Sequence, residues 1–171
     1  MLLIKGHDRD NPEYAWWFTV GGGKENNENI VDCAVRELFE ETGIKINEDK
    51  LYAPLIIRDG KFEFTNKTVY QKEYIYLALL HEKVVATNIN FTENEKKLID
   101  KVCWWDIDEL VEISNKNCKF NIYPRALPGI LQRIFDEYPL NLDENMHALG
   151  TWHINEFTNE IKYTGINNFI A

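Results

Sequence analysis

Between Asn29 and Thr42 the side chains of Val31, Ala34, Val35, Leu38 and Thr42 recur at intervals of three and four, and Gly43 follows at once. That period predicts an amphipathic helix, and Gly43 stands where a helix stops, because glycine takes the left-handed cap without steric penalty. On the same segment Glu37, Glu40 and Glu41 stand at i, i+3 and i+4. At about 100° per residue they fan over one face, apart from the apolar stripe. Like charges at this spacing cost an isolated helix some tenths of a kcal/mol each, so the cluster calls for a cation. Hard oxygen ligands with no thiolate or imidazole beside them suit Mg²⁺ or Mn²⁺ rather than zinc.

A bare E-x-x-E-E is ordinarily a solvated acidic face. The surroundings here argue otherwise. The turn Gly21 to Gly23 precedes the helix and lets backbone approach a ligand closely, and Arg36 stands where it can hold a carboxylate in a bidentate pair.

The segment GGKENNENIVDCAVRELFEETGI, Gly22 to Ile44, resembles the signature of the Nudix hydrolase family, G-x5-E-x7-R-E-U-x-E-E-x-G-U with U a bulky aliphatic. Gly22, Glu28, Arg36, Glu37, Leu38, Glu40, Glu41, Gly43 and Ile44 fill every specified position. Weaker likeness extends through WWFTVGGG before the box and VCWWDIDEL after it, and ends near Tyr138. The resemblance implies that Glu37, Glu40 and Glu41 bind or position Mg²⁺, with Mn²⁺ an alternative. It implies that Arg36 orients them within the catalytic set. The Gly21 carbonyl and Glu28 would be further metal-side groups, Glu28 also a helix anchor. Glu37 or Glu41 would be the base that deprotonates the attacking water, and families differ on which. The implied reaction is cleavage of a phosphoanhydride bond in a nucleoside diphosphate linked to another moiety, or in a nucleoside triphosphate. The competing class is a non-catalytic Nudix-fold nucleotide-binding or regulatory module, usually marked by a degenerate box, and this box is intact. Glu40→Gln and Glu41→Gln should spare the fold, on the reading that these side chains face metal and solvent.

Two departures concern the loop. Val20 stands where most members have proline, and Asn27 where glycine is frequent. The first arm of the family's usual hairpin would precede Leu2 to Ile4. The downstream motifs that the family associates with ADP-ribose, dinucleoside polyphosphates or NADH have no match here.

Outside the box, Leu2 to Ile4, Trp16 to Val20 and Lys101 to Trp105 read as strands. Leu51 to Arg58 and Lys61 to Thr65 read as a hairpin turning at Asp59-Gly60. Val69 to Leu80 is apolar on both faces in its second half, as for a central strand. Thr92-x-x-Glu95 resembles a capping box, Asp106-x-x-Glu109 opens another short helix, and Tyr123 to Tyr138 reads as a long helix with Pro128 near its start. Strands interleaved with helices predict an α+β fold, an α/β/α sandwich with one mixed sheet between helices. Residues 1–140 form the expected domain. Residues 141–171 form an extension within it, with a hairpin around Phe157 to Glu160 that covers a sheet edge or the cleft.

Substrate-facing candidates are Trp16 and Phe18, which share one face of a strand and can stack a base, and Glu95, for which capping is the competing role. Trp17 lies on the opposite face, so at least one of the three belongs to the core. The chain of 171 residues carries a formal charge of −9, which repels a phosphate backbone. A small nucleotide-type substrate is the expected partner, with no long nucleic acid, no membrane, and room for a homodimer. No apolar run approaches the roughly 20 residues of a bilayer span, so the cytoplasm is the expected compartment. Cys33, Cys103 and Cys118 lack metal or disulfide spacing, and Cys33, one turn before Glu37, reads as a small filler.

Overall fold

Strand β1 (Leu2–His7) lies between two antiparallel neighbours, β2 (Ala15–Phe18) and β5 (Ile99–Trp104), in a computed structural model that describes residues 1–84, 91–93, 95–116 and 120–165. Cys118 lies outside the described residues. Neither edge of β1 is open. The remaining elements are α1 (Ile30–Thr42), β3 (Ile56–Glu63), β4 (Thr68–Ile75), α2 (Ile107–Lys116), β6 (Ile122–Tyr123), α3 (Leu127–Glu137), α4 (Leu142–Asn145), β7 (Thr151–Asn155) and β8 (Glu160–Thr164).

The architecture is α+β, with two mixed sheets of order β5-β1-β2-β6 and β4-β3-β7-β8 where one sheet was expected. The chain divides accordingly into two compact units, Met1–Ile46 with His81–Pro139, and Asn47–Leu80 with the chain from Leu140 onward. In the first unit Leu3, Ile4, Leu110, Leu127, Leu131 and Ile134 are almost fully buried. Each such side chain contributes roughly 1.5–3 kcal/mol relative to exposure. Helices α2 and α3 pack together there. Asp106 caps α2 through Oδ1, which accepts from the Asp108 and Glu109 amides at 3.0 and 3.3 Å, and Pro128 stands in the first turn of α3.

In the second unit Ile56, Trp152 and Ile154 are buried, and the structure departs twice from the sequence reading. Asp59-Gly60 is not a turn. Both residues are paired within β3, Asp59 with Lys72 and Asn155, Gly60 with Gln71. A Cβ at Gly60 would come 3.1 Å from the Arg58 guanidinium carbon and 3.1 Å from the Phe62 ring, a tight fit that those side chains would have to yield to. The chain reverses later, where the Phe64 amide donates to the Lys67 carbonyl at 2.8 Å. Nor is the segment from Val69 central. β4 ends its sheet at Ile75, with Tyr70, Lys72 and Tyr74 exposed, and the apolar run from Tyr76 to Leu80 that suggested two-sided burial is not strand. The central strands are β3 and β7, which run parallel, so the tail hairpin β7–β8 extends a sheet of its own chain. Among the described residues no helix is long and apolar enough to cross a membrane.

Candidate active site

The turn after β2 and the helix α1 are held together by Glu41. Its Oε2 accepts from the Gly21 amide at 2.7 Å, in a conformation that only glycine takes readily, with φ of +144° at Gly21. Asn29 starts the helix, its side-chain oxygen accepting from the Asp32 amide at 2.9 Å. Gly43 ends it at φ +74°, its amide donating to the Phe39 carbonyl at 2.8 Å. Asn27 takes the left-handed conformation as well, with φ +66°. Asparagine is among the few non-glycine residues that tolerate it, which explains how it stands where the family often has glycine.

Arg36 gathers the other carboxylates. Its Nε donates to Glu28 Oε1 at 2.8 Å and its Nη2 to Glu28 Oε2 at 3.1 Å, a bidentate pair. Nη1 donates to Glu37 Oε1 and to Glu40 Oε2, each at 2.8 Å, and Nη2 reaches the Gly23 carbonyl at 3.2 Å. Glu28 also accepts from the Glu25 amide at 2.9 Å, so it ties the loop to the helix. The Arg36 hydrogen bond holds its carboxyl down at about 2. Gly22 lies directly on Glu37: a Cβ there would meet the Glu37 carboxylate at 2.5–2.6 Å.

Glu41 is the departure in this region. Expected to face solvent, it is only 6% exposed, because the Gly21 turn closes over its end of the helix. Burial pushes its carboxyl up to about 8, against the Gly21 hydrogen bond, and the charges of Glu37, Glu95 and Glu40 push the same way. Burial also raises Glu37, opposed by Arg36 and reinforced by Glu40 and Glu95. Glu95 is therefore electrostatically part of the cluster. Its side chain is engaged in capping, with Oε2 accepting from the Thr92 amide at 2.7 Å and its own amide donating to Thr92 Oγ1 at 3.3 Å. Cys33 is buried, its thiol 3.9 Å from the Gly22 carbonyl and raised by burial, as befits a filler rather than a nucleophile.

Glu28, Glu37 and Glu40 thus surround a single arginine that does not reach Glu41, and burial pushes Glu37 and Glu41 toward holding a proton. Hard carboxylate oxygens with an unbalanced negative field fit a divalent cation of the Mg²⁺ or Mn²⁺ kind. Among the described residues no three acidic, histidine or cysteine side chains converge on one point, since Arg36 draws Glu37 and Glu40 into its own fork.

The aromatic candidates separate as strand alternation requires. Trp17 is buried, its ring 4.9 Å from that of Trp105 in an edge-on contact. Trp16 and Phe18 are half-buried on the opposite face. Trp16 lies 5.4 Å from Tyr14, and the Tyr14 and Tyr123 hydroxyls are 3.3 Å apart. Tyr123 and Arg125 carried no sequence signal, because it is the parallel pairing of β2 with the two-residue strand β6 that sets Tyr123 opposite Phe18.

The sequence profile of the NUDIX domain matches residues 1–126, and the chain belongs to that family. It is 31% identical over 142 residues to human nucleoside diphosphate-linked moiety X motif 6, covering 83% of this chain and 42% of that protein. It is 32% identical over 116 residues to the mRNA-decapping protein g5R of African swine fever virus, covering 66% of this chain and 46% of the relative. An uncharacterized Nudix hydrolase of Bacillus subtilis, YvcI, is 27% identical over 101 residues, 58% of this chain and 56% of its own length. The chain thus spans about half the length of these curated relatives or less.

Proposed function

We propose that the chain is a Mg²⁺-dependent pyrophosphatase, with Mn²⁺ as a substitute, acting on a nucleoside diphosphate linked to another moiety or on a nucleoside triphosphate. The observation that carries this reading is Glu41: a carboxylate buried against the Gly21 turn, pushed up by burial and by three further carboxylates, on a complete Nudix helix.

Glu37, Glu40 and Glu41, with the Gly21 carbonyl, would hold the metal. A bound divalent cation neutralises phosphate charge and lowers the pKa of water. Arg36 holds Glu28, Glu37 and Glu40 in one fork, from which Glu37 and Glu40 would turn to share a cation with Glu41. The Gly21 amide fixes Glu41. A carboxyl near 8 is close to the pKa that suits a general base at neutral pH, and Glu37 is raised too, so either can take the proton of the attacking water. Attack falls on phosphorus, releasing a nucleoside monophosphate and a second phosphorylated fragment.

A second reading comes from the decapping relatives. An mRNA cap is a nucleoside joined through a phosphoanhydride chain, and the same carboxylates would serve it. The charge of −9 opposes a long RNA but not a short capped end. One experiment tests both: phosphate or nucleotide release from a panel of nucleoside triphosphates, linked nucleoside diphosphates and a cap analogue, with Mg²⁺ and with EDTA. Mg²⁺-dependent release from any of them supports the hydrolase. Full activity in EDTA overturns the mechanism, and binding without turnover would define a non-catalytic module.

A further inference from the structure

We propose that Tyr14, Trp16, Tyr123 and Arg125 form a nucleobase-binding surface, so that this chain selects nucleotides by stacking on the base rather than by the phosphates alone. The inference rests on the hydrolase reading and names the part of the substrate that the carboxylates do not touch.

β2 and β6 pair in parallel with Phe18 opposite Tyr123 and Trp17 opposite Ile122. Alternate residues of a strand share a face, so Trp16, Phe18 and Tyr123 stand together while Trp17 and Ile122 turn to the other side, where both are buried. Tyr14 joins the first group from the loop before β2, its ring 5.4 Å from Trp16 and its hydroxyl 3.3 Å from that of Tyr123. The Arg125 guanidinium lies 5.6 Å from the centre of the Tyr123 ring. Arg125 is exposed, and the three aromatic residues are half-buried.

A second aromatic group in the same unit shows what a packing role looks like. Trp17, Trp105 and Phe120 contact one another at 4.9, 5.5 and 6.4 Å around the buried Trp17 ring, with no hydroxyl among them. Each group has an exposed cation over a ring, Lys101 at 5.1 Å from Trp17 and Arg125 at 5.6 Å from Tyr123, and the Tyr14 group adds two hydroxyls, which packing does not require. Those are the features that hold a base and meet an anion: every base offers a π-face, and a guanidinium can lie over a ring while pairing with phosphate. In a chain of charge −9, an exposed arginine beside aromatic faces offsets the repulsion of an anionic ligand locally. The strand that bears Trp16 ends at Phe18, three residues before Gly21, whose amide bonds Glu41 on α1.

The test is a titration of the metal-free protein with AMP, GMP, CMP and UMP, with ribose 5-phosphate as the base-less control. Affinity is read by calorimetry and location by the Trp16 indole N–H in NMR, assigned with Trp16→Phe. Stacking on an aromatic face is worth roughly fivefold to a hundredfold in affinity. At least one monophosphate should shift the Trp16 signal and bind about fivefold or more above ribose 5-phosphate. Arg125→Ala, a surface change, and Tyr123→Ala should each weaken it by about fivefold or more, whereas Tyr123→Phe, which keeps the ring, should stay within about twofold. On any anhydride substrate the Arg125 variant should raise KM and leave kcat unchanged. An unmoved Trp16 signal with all four, equal binding of ribose 5-phosphate, or wild-type affinity in Arg125→Ala would overturn the proposal. Monophosphate binding at Trp16 without any anhydride hydrolysis would leave this surface standing and remove the hydrolase reading. Hydrolysis with an unaltered KM in both variants would do the reverse.

Discussion

Arg36 on α1 and Arg58 on β3 are both held by glutamates, one in each unit of the molecule. Arg36 bonds Glu28, Glu37 and Glu40, with its side chain 24% exposed. Arg58 bonds Glu73 at 2.6 Å and Glu156 at 2.7 Å, with its side chain 1% exposed and its guanidinium carbon 4.6 Å from the centre of the Phe62 ring. Glu156 also accepts from the Lys61 amide at 3.0 Å, so the tail is tied to β3 through side chain and backbone together. The glutamate partners of Arg36 lie within eight residues along the chain, whereas those of Arg58 lie 15 and 98 residues away. Around Arg58 the charges are nearly matched by what the fold supplies. Around Arg36 they are not, because Glu41 adds a buried carboxylate that no arginine reaches. The same ion-pair chemistry therefore closes a sheet in one place and leaves an appetite for a cation in the other.

The sharpest way to break this comparison is at Glu41. Glu41→Gln should lower turnover by roughly 10²–10⁴-fold, the range of a lost general base, while the melting temperature at pH 8 holds or rises because a buried charge has gone. Equal turnover in this variant, followed by phosphate release, would remove Glu41 from the mechanism.

Arg58→Ala should have the opposite signature. Removing one partner of a buried ion pair costs about 3–5 kcal/mol, and the partial exposure of Glu73 and Glu156 argues for the lower end, about 3 kcal/mol. Urea unfolding should show that loss, with kcat of the folded fraction unchanged. A variant of native stability would mean that the clamp is not what holds the tail.

The third effect is smaller and depends on pH. Glu41 titrates near 8 in the folded metal-free protein, well above its ordinary value, so the folded state binds more protons than the unfolded one between the two values. Its contribution to stability is complete below the unfolded pKa of about 4.3 and is lost as pH rises toward 8. In EDTA the melting temperature should fall over that window, and added Mg²⁺ should raise it more at pH 8 than at pH 5. Equal Mg²⁺ shifts at both values would separate the cation from Glu41.

The smallest effect belongs to the loop. Asn27→Ala should cost about 1 kcal/mol, because alanine lacks the local hydrogen bonding that eases φ +66°, while Asn27→Gly should stay within about 0.5 kcal/mol. Calorimetric melting of both variants would decide it. Equal losses would mean that the loop does not need this backbone conformation.

What was legible in the sequence was what neighbours along the chain settle between themselves. The helix expected over residues 29–42 is found at Ile30–Thr42, with Asn29 and Gly43 as its caps, because periodicity and capping are properties of four or five consecutive residues. Of the Arg36 fork only the Glu40 contact is legible in this way, as an i to i+4 pair, because the bidentate partner Glu28 lies eight residues back and before the helix. The capping box at Thr92 and Glu95 and the helix start at Asp106 belong here too.

Tertiary structure alone decided the rest. Asp59-Gly60 has the composition of a turn, but pairing with β4 and β7 on its two sides holds it straight, with the glycine packed close against Arg58 and Phe62. The partner of the tail hairpin, the burial of Glu41 under the Gly21 turn, and the meeting of Tyr123 with Tyr14 are likewise contacts between distant segments. The carboxylate set was written into one helix by its period. Which of its members lost water, and so which titrates near neutral pH, was decided by the segment that folded back over it, because burial depends on what covers a side chain rather than on its place along the chain.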